Sequence, residues 1–337
     1  MKKLAAIVLL MVVSNCYGQD PQFSQFFSSP LNINPALTAR INSDWRLISN
    51  LRDQWIGPAS PYVTGTVSYD RKLFQNKIPN VDNVDDNVFG MGAMLMYDHS
   101  MSGIQKSTYA SLDLSYNIKF AEGFGKHRLG LGFGTIYGRR YIDFDRLYTQ
   151  EQWVGFNGFN TNLPSGEALS EMKPYFSLST GLIYSFSTEK TNLDMGVAAY
   201  HLNKPKQTFQ ADANQILPIR KVAHANFETY LKDNLVLSTN AIYQFQREAK
   251  YFSAGGALGF LVGEKQETLL NLGAWYWSDN AIIPYAGFSY KDLQFGLSFD
   301  ITSSKLNEAA RKPRTFELSI ILRGTKSPIN VIPCPWK

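Results

Sequence analysis

Apolar and polar residues alternate with a period of two along most of this chain. From Tyr109 to Phe120 it reads YASLDLSYNIKF, with Leu112, Leu114, Tyr116, Ile118 and Phe120 on one side and Asp113, Ser115, Asn117 and Lys119 on the other. LQFGLSFD, Leu293 to Asp300, repeats the pattern. So do Leu129, Leu131, Phe133 and Tyr137 against Gly130, Gly132, Gly134 and Gly138, and Phe176, Leu178, Leu182, Tyr184 and Phe186 against Ser177, Ser179, Gly181 and Ser185. Successive side chains of a strand point to opposite faces, so each run predicts a strand with one apolar and one polar face.

Alternation alone does not separate a soluble sandwich from a membrane barrel. Strand length and the small, polar opposite faces do. Several runs reach ten or more residues, matching the roughly 9 to 11 of a tilted bilayer-spanning strand, and Gly, Ser, Asn and Asp suit a crowded polar lumen. Aromatics gather towards run ends, as at Trp275 to Trp277, Tyr285 to Tyr290 and Tyr243 to Phe245. Fourteen runs are predicted, at 44–52, 62–71, 88–98, 106–120, 127–140, 173–187, 192–201, 221–230, 235–246, 251–262, 268–277, 281–290, 293–300 and 315–322. An even number suits a single-chain bacterial barrel, with short periplasmic turns alternating with longer external loops. From the fourth strand onward all the long links (141–172, 202–220, 301–314) fall on one side of that alternation. The link 72–87 is long where a short turn is expected, and Pro284 removes a ladder donor inside a run, so a bulge or a lipid-edge position is predicted there. The fold class is therefore all-β: a transmembrane antiparallel β-barrel of about 14 strands.

The N-terminus sets the compartment. Lys2 and Lys3 precede ten apolar residues, Leu4 to Val13, and small residues at Cys16 and Gly18, a secretory signal cleaved after Gly18. Lipidation of Cys16 is the lesser alternative, since Asn15 and Val13 depart from what that reaction expects. Ten apolar residues are too few for a membrane helix, and no later stretch is longer. The mature chain keeps Cys334 alone, so no internal disulfide is available. Loss of two lysines takes Lys and Arg from 33 to 31 against 28 acidic residues, with signs interspersed, which excludes a nucleic-acid footprint.

Behind the signal, QDPQFSQFFSSPLNINPAL (19–37) is too punctuated for a strand, because Pro21, Pro30 and Pro35 fix φ and remove donors. Phe23, Phe26, Phe27, Leu31 and Ile33 need a dry place. The segment is expected to enter from the periplasmic end and pack partly inside the lumen or across its mouth as a plug, with Asn32 and Asn34 bonding lumen or strand-end groups. The expected organisation is a signal at 1–18, a plug-like segment at 19–43, a barrel at 44–322 and a periplasmic tail at 323–337.

Chemistry is sparse. His99, His127, His201 and His224 have no metal spacing and read as surface or lumen residues. Asp82, Asp85 and Asp86 lack the ordered spacing and closing Glu of a calcium loop. GFGKHRLGLGFG (123–134) has no following helix to make a phosphate cradle. No nucleophile elbow or Ser/His pairing is legible. No catalytic residue, cofactor or metal site is read from the chain, and lumen charges such as Asp113, Lys119, Asp194 and Glu317 read as neutralising pairs.

FSQFFSSPLNINPAL, RDQWIGPASPYVTGTVSYDRKL (52–73), GMGAMLMYDHSMSGIQKSTYASLDLSYNIKF (90–120), SFDITSSKLNEAARKPRTFELSIIL (298–322) and the terminal CPWK together resemble the PorP/SprF-like family of type IX secretion-associated outer-membrane proteins. The resemblance implies a non-enzymatic outer-membrane barrel beside the type IX machinery. It would serve the core apparatus through a periplasmic, peptidoglycan-binding partner, or serve a secreted, adhesin-like surface protein used in gliding. On that reading the outer loops form the grip: 141–172 with Trp153, Phe156 and Phe159, 202–220, and 301–314 with Lys305, Arg311, Lys312 and Arg314, since aromatic and Arg residues dominate interface energetics. On the inner side, the 72–87 link and the 323–337 tail would meet periplasmic partners. The competing reading is a passive or solute-selective porin.

Overall fold

The computed structural model describes residues 20–57, 60–73, 87–160, 162–166, 172–207, 215–263, 266–304 and 312–324. The signal, the acidic stretch at Asp82, Asp85 and Asp86, Lys305, Arg311 and residues 325–337 with Cys334 lie outside these residues. Fourteen strands run in chain order: β1 Trp45–Ile56, β2 Tyr62–Leu73, β3 Val88–Ser100, β4 Gln105–Glu122, β5 Lys126–Ile142, β6 Tyr175–Ser187 and β7 Thr191–Tyr200. They continue with β8 Arg220–Lys232, β9 Leu235–Gln246, β10 Ala249–Val262, β11 Thr268–Trp277, β12 Ala281–Tyr290, β13 Leu293–Thr302 and β14 Arg314–Gly324. Each pairs antiparallel with its sequence neighbours, and β1 pairs with β14 from Trp45↔Gly324 to Ile56↔Arg314, closing the ring. Closure is what lets strands stand in hydrocarbon, because no backbone donor is left on an edge.

The alternation in the sequence becomes an inside and an outside. Along β3 every second residue is buried, and the intervening Met91, Leu95 and Tyr97 are exposed. Leu112, Leu114 and Tyr116 of β4 and Leu129, Leu131 and Phe133 of β5 likewise point outward. The buried side is polar: Asn50 and Arg52, Thr64 to Asp70, Ser111 to Asn117, Ser177 and Ser179, Asn240, Asn271 and Glu317. Among the described residues no helix is long and apolar enough to cross a membrane; the crossing is made by strands.

The predicted strand count and order hold, with ends shifted by a few residues. β2 ends at Leu73 and β3 begins at Val88, so the long link between them interrupts the short-turn pattern without hiding a miscounted strand boundary. At Pro284 the ladder from β12 to β13 lapses between Ile282↔Ile301 and Tyr285↔Ser298 without changing register, while Ala274↔Pro284 pairing to β11 is kept. A missing donor removes pairing on one side only, so an interrupted ladder replaces the predicted bulge.

The outward face predicts its own test. Leu112 lies mid-strand and exposed, and Leu112→Arg is expected to lower stability in lipid vesicles by about 2–4 kcal/mol. Tyr141→Arg, at the rim of β5, should cost about 0–1 kcal/mol. Urea titration of the vesicle-inserted barrel, followed by tryptophan fluorescence, measures both.

Candidate functional site

Two places carry the chemistry: the interior, and the end where the links 143–174, 201–219 and 303–313 gather. The opposite end has links of two or three residues at 123–125, 188–190, 233–234 and 291–292, one of five at 263–267, and the long link 74–87.

Residues 20–41 run through the lumen along its whole length. Asp20 lies at the loop-rich end, where its carboxylate meets His201 Nε2 at 2.8 Å and Arg220 Nε at 3.2 Å. Burial pushes the Asp20 carboxyl up, but His201 and Arg220 outweigh it and hold the group below the usual carboxylate range. At the other end Ala39 N–H donates to Asp70 at 2.7 Å, and Asp44 begins the hydrogen bonding of the barrel seam to Gly324 O. The path is therefore longer than a segment lying partly inside or across one mouth. Short turns make it compact: a 3-10 turn at Phe26–Ser28, a single helical turn α1 at Pro30–Ile33, and a 3-10 turn at Pro35–Leu37. Pro30 and Pro35 each start a turn, where a missing N–H costs nothing.

Phe23, Phe26 and Phe27 are all buried. Phe27 packs on Trp275 at 4.7 Å and edge-on to Tyr285 at 5.5 Å, while Phe23 joins Leu31, Met94 and Met96. Asn34 is fully enclosed; its Nδ2 reaches Leu182 O at 3.0 Å, Val197 O at 3.3 Å and His224 Nε2 at 3.0 Å, and its Oδ1 accepts from Ala36 N at 2.8 Å. Asn32 behaves differently from its expectation. Among the described residues its side chain donates to Pro21 O of its own segment, at 3.5 Å, and the wall is hydrogen-bonded through its carbonyl, to which Arg220 donates at 3.0 Å.

Close approach needs bare wall. A Cβ on Gly132 would strike the Pro35–Ala36 backbone, and one on Gly181 would strike Asn34 Oδ1. Gly132 and Gly181 are thus where the segment lies close against the wall, whereas Gly130, Gly134 and Gly138 leave room for wall side chains such as Asn117, Asp113 and Tyr175.

A buried cluster fixes the upper half of the segment. Arg52 of β1 donates to Glu317 of β14, to Asp300 of β13 at 3.0 Å and to Ser24 Oγ at 2.5 Å. Two carboxylates share one guanidinium, and the excess negative charge is met by the segment's backbone: Ser24 N and Gln25 N donate to the two Glu317 oxygens at 2.5 and 2.7 Å. Gln25 also bonds Ser298 at 3.0 Å and Ser319 at 2.8 Å. Removing one partner of such a buried group costs about 3–5 kcal/mol. Of the other anticipated lumen charges, Asp194 pairs with Arg40 at 3.2 Å, whereas Asp113 has no ion pair among the described residues and accepts from Ser111 at 3.0 Å. The cavity left beside Phe26, Ile33, Asp194 and His224 is about 30 Å³, roughly the volume of one water.

On the loop-rich face, Trp153 and Phe159 bridge across a turn and pack edge-on at 4.9 Å, and Tyr148 stacks on Phe159 at 5.1 Å. Phe156 at the tip is fully exposed. Lys312 and Arg314 are exposed at the start of β14, nearly opposite the aromatic loop on the ring, so the structure does not bring the two groups together. Sequence reasoning missed Tyr148, the Arg52 cluster and the roles of His201 and His224. The signal for the cluster was the inward register of Arg52, Asp300 and Glu317 on strands that close the ring.

No curated protein matches the chain significantly in sequence. In outline it is similar to the toluene transporter TbuX of Ralstonia pickettii: 10% identity, covering 86% of this chain and 92% of that chain, TM-score 0.48. The toluene transporter TodX of Pseudomonas putida compares at 13%, 86%, 90% and 0.45, and a FadL homologue of Pseudomonas aeruginosa at 11%, 86%, 92% and 0.45. Residues 15–322 match the family described as type IX secretion system membrane protein PorP/SprF. The ring closed on itself, apolar outward and polar inward, places the chain in the outer membrane, and the match over nearly its whole length makes it a member of the PorP/SprF family of type IX secretion system membrane proteins.

Proposed function

We propose that the barrel is a closed docking body of the type IX system and not a solute channel. The observation that carries this reading is the filled lumen, with residues 20–37 packed against the wall beside cavities of about 10 to 30 Å³, and open space of about 1040 Å³ only at the short-turn end beside Ala39 to Asn42. A fourteen-stranded wall is wider than one that its own side chains fill, so the segment makes the difference between a conduit and a solid body. In this organisation residues 1–18 are the removed signal, 19–43 the plug, 44–322 the barrel and 323–337 a periplasmic tail.

Its activity is non-enzymatic holding. The loop-rich face grips a secreted, adhesin-like cargo of the gliding type, and Phe156, with Trp153, Phe159 and Tyr148 stiffening the loop behind it, is the anchor. Lys312 and Arg314, with Arg311, form a second contact across the mouth, which fits a cargo domain broad enough to cover the opening. Core secretion components, including a peptidoglycan-binding partner, meet the short-turn end, where a concavity of about 1040 Å³ is lined by Arg40, Lys126, Arg128, Glu189 and Lys190.

Two measurements test this. Phe156→Ala is expected to reduce retention of the cell-surface cargo at least tenfold while leaving the barrel's thermal unfolding unchanged; unchanged retention would sink the grip. In planar bilayers the wild-type barrel should be silent, and deletion of residues 19–38, or Gly132→Leu, which pushes the segment off the wall without removing it, should open it. Steady openings of the wild type would establish the porin reading instead.

A further inference from the structure

The outer wall of β7 to β10 gathers small outward side chains between large ones. On β4, by contrast, outward positions carry Leu112, Leu114 and Tyr116. Here Ala223 and Ala225 of β8 and Ala241 of β9 leave a concavity of about 520 Å³, bounded by Tyr243 and Phe252 on one side and by Met195 and Val197, with Leu182 and Tyr184 of β6 and Leu129 of β5 beyond them, on the other. Register makes it continuous: Val197↔Ala223↔Tyr243↔Phe252 form one row across four strands, and Met195↔Ala225↔Ala241 the row below.

The row above, at the loop-rich end, is cationic. Lys221 pairs with Phe245, and Phe245 with Lys250, so two outward lysines flank one ring. Lys221 Nζ stands 5.2 Å from the Phe245 centroid. Both lysines are exposed, and neither has a carboxylate partner among the described residues. From Lys221 to Ala225 is four residues, about 13 Å of strand.

We propose that this surface binds one phosphorylated, acylated lipid of the outer leaflet, its phosphate between Lys221 and Lys250 and an acyl chain in the alanine-floored groove. Charge and shape both select this occupant. Basic side chains at a membrane surface attract anionic headgroups, and lysine binds phosphate as a compact point charge. A groove of alanines within the lipid-facing band offers a flexible hydrocarbon chain close contact that a flat wall does not. A soluble protein has no access to a groove within the lipid-facing band. The lysines sit at the water boundary, where charge is tolerated, and the alanines sit where only hydrocarbon is.

The test uses the mature barrel purified in a neutral, phosphate-free detergent and titrated with hexa-acylated, bis-phosphorylated lipid A, with bound stoichiometry read by native mass spectrometry. One tight lipid per barrel is expected, weakened at least tenfold in Lys221→Gln/Lys250→Gln and by a similar factor when the lipid is dephosphorylated. Ala241→Phe, which fills the groove and keeps both lysines, should weaken binding comparably. Inorganic phosphate at the same concentrations should not compete. Equal binding by the double lysine variant or by the dephosphorylated lipid would overturn the proposal, as would full competition by inorganic phosphate, which marks an anion site without a lipid component. The lysine substitutions lie outward at the rim, so heat-modifiable migration of the variant should match wild type and keep the comparison interpretable.

Discussion

Hydrocarbon offers no hydrogen bonds, so every backbone donor and acceptor of a membrane strand must be met by another strand. That demand forces the β1–β14 pairing, and the pairing fixes everything else. Once the ring is closed, one face of each strand is committed to lipid and the other to an interior that must satisfy its own polar groups. Fourteen strands enclose more volume than their inward Ser, Asn and Gly residues can fill. The interior therefore needs an additional occupant, and the N-terminal segment is that occupant.

The segment is suited to the task because it brings both apolar mass and backbone hydrogen-bonding groups. Phe27 on Trp275 and Tyr285 supplies the first; the N–H groups of Ser24 and Gln25 on Glu317 supply the second. A buried carboxylate beside a guanidinium is stable only when its remaining lone pairs are satisfied. Here, strand side chains and segment backbone complete one another's coordination. Inward Gly132 and Gly181 follow from the same geometry, since they leave room for the Pro35–Ala36 backbone and for the Asn34 side chain.

The strands were legible because period-two alternation is imposed residue by residue by the contrast between lipid and lumen. Link lengths carried the topology, since short and long connections alternate with the two sides of a membrane. The interior was legible only as composition. The inward Gly132 says that something lies close, but not what, because it meets Pro35 and Ala36, more than ninety positions earlier in the sequence. His201 and His224 read as bland strand-end or lumen histidines, and only folding shows that one meets Asp20 and the other Asn34. Asn32 shows the converse. Its side chain suited a wall contact, yet the turn at Pro30–Ile33 aims it back towards Pro21 and leaves the carbonyl to face Arg220.

The cluster around Arg52 joins parts of the chain that synthesis separates most widely. Ser24 and Gln25 belong to the segment that precedes the barrel, Arg52 to the first strand, and Asp300 and Glu317 to the last two. It stands on the line where the ring is sewn shut. The segment thus acts as a staple across the seam from within, tying the first strand to the last two. The cluster is complete only when the segment, the first strand and the last two strands are all in place.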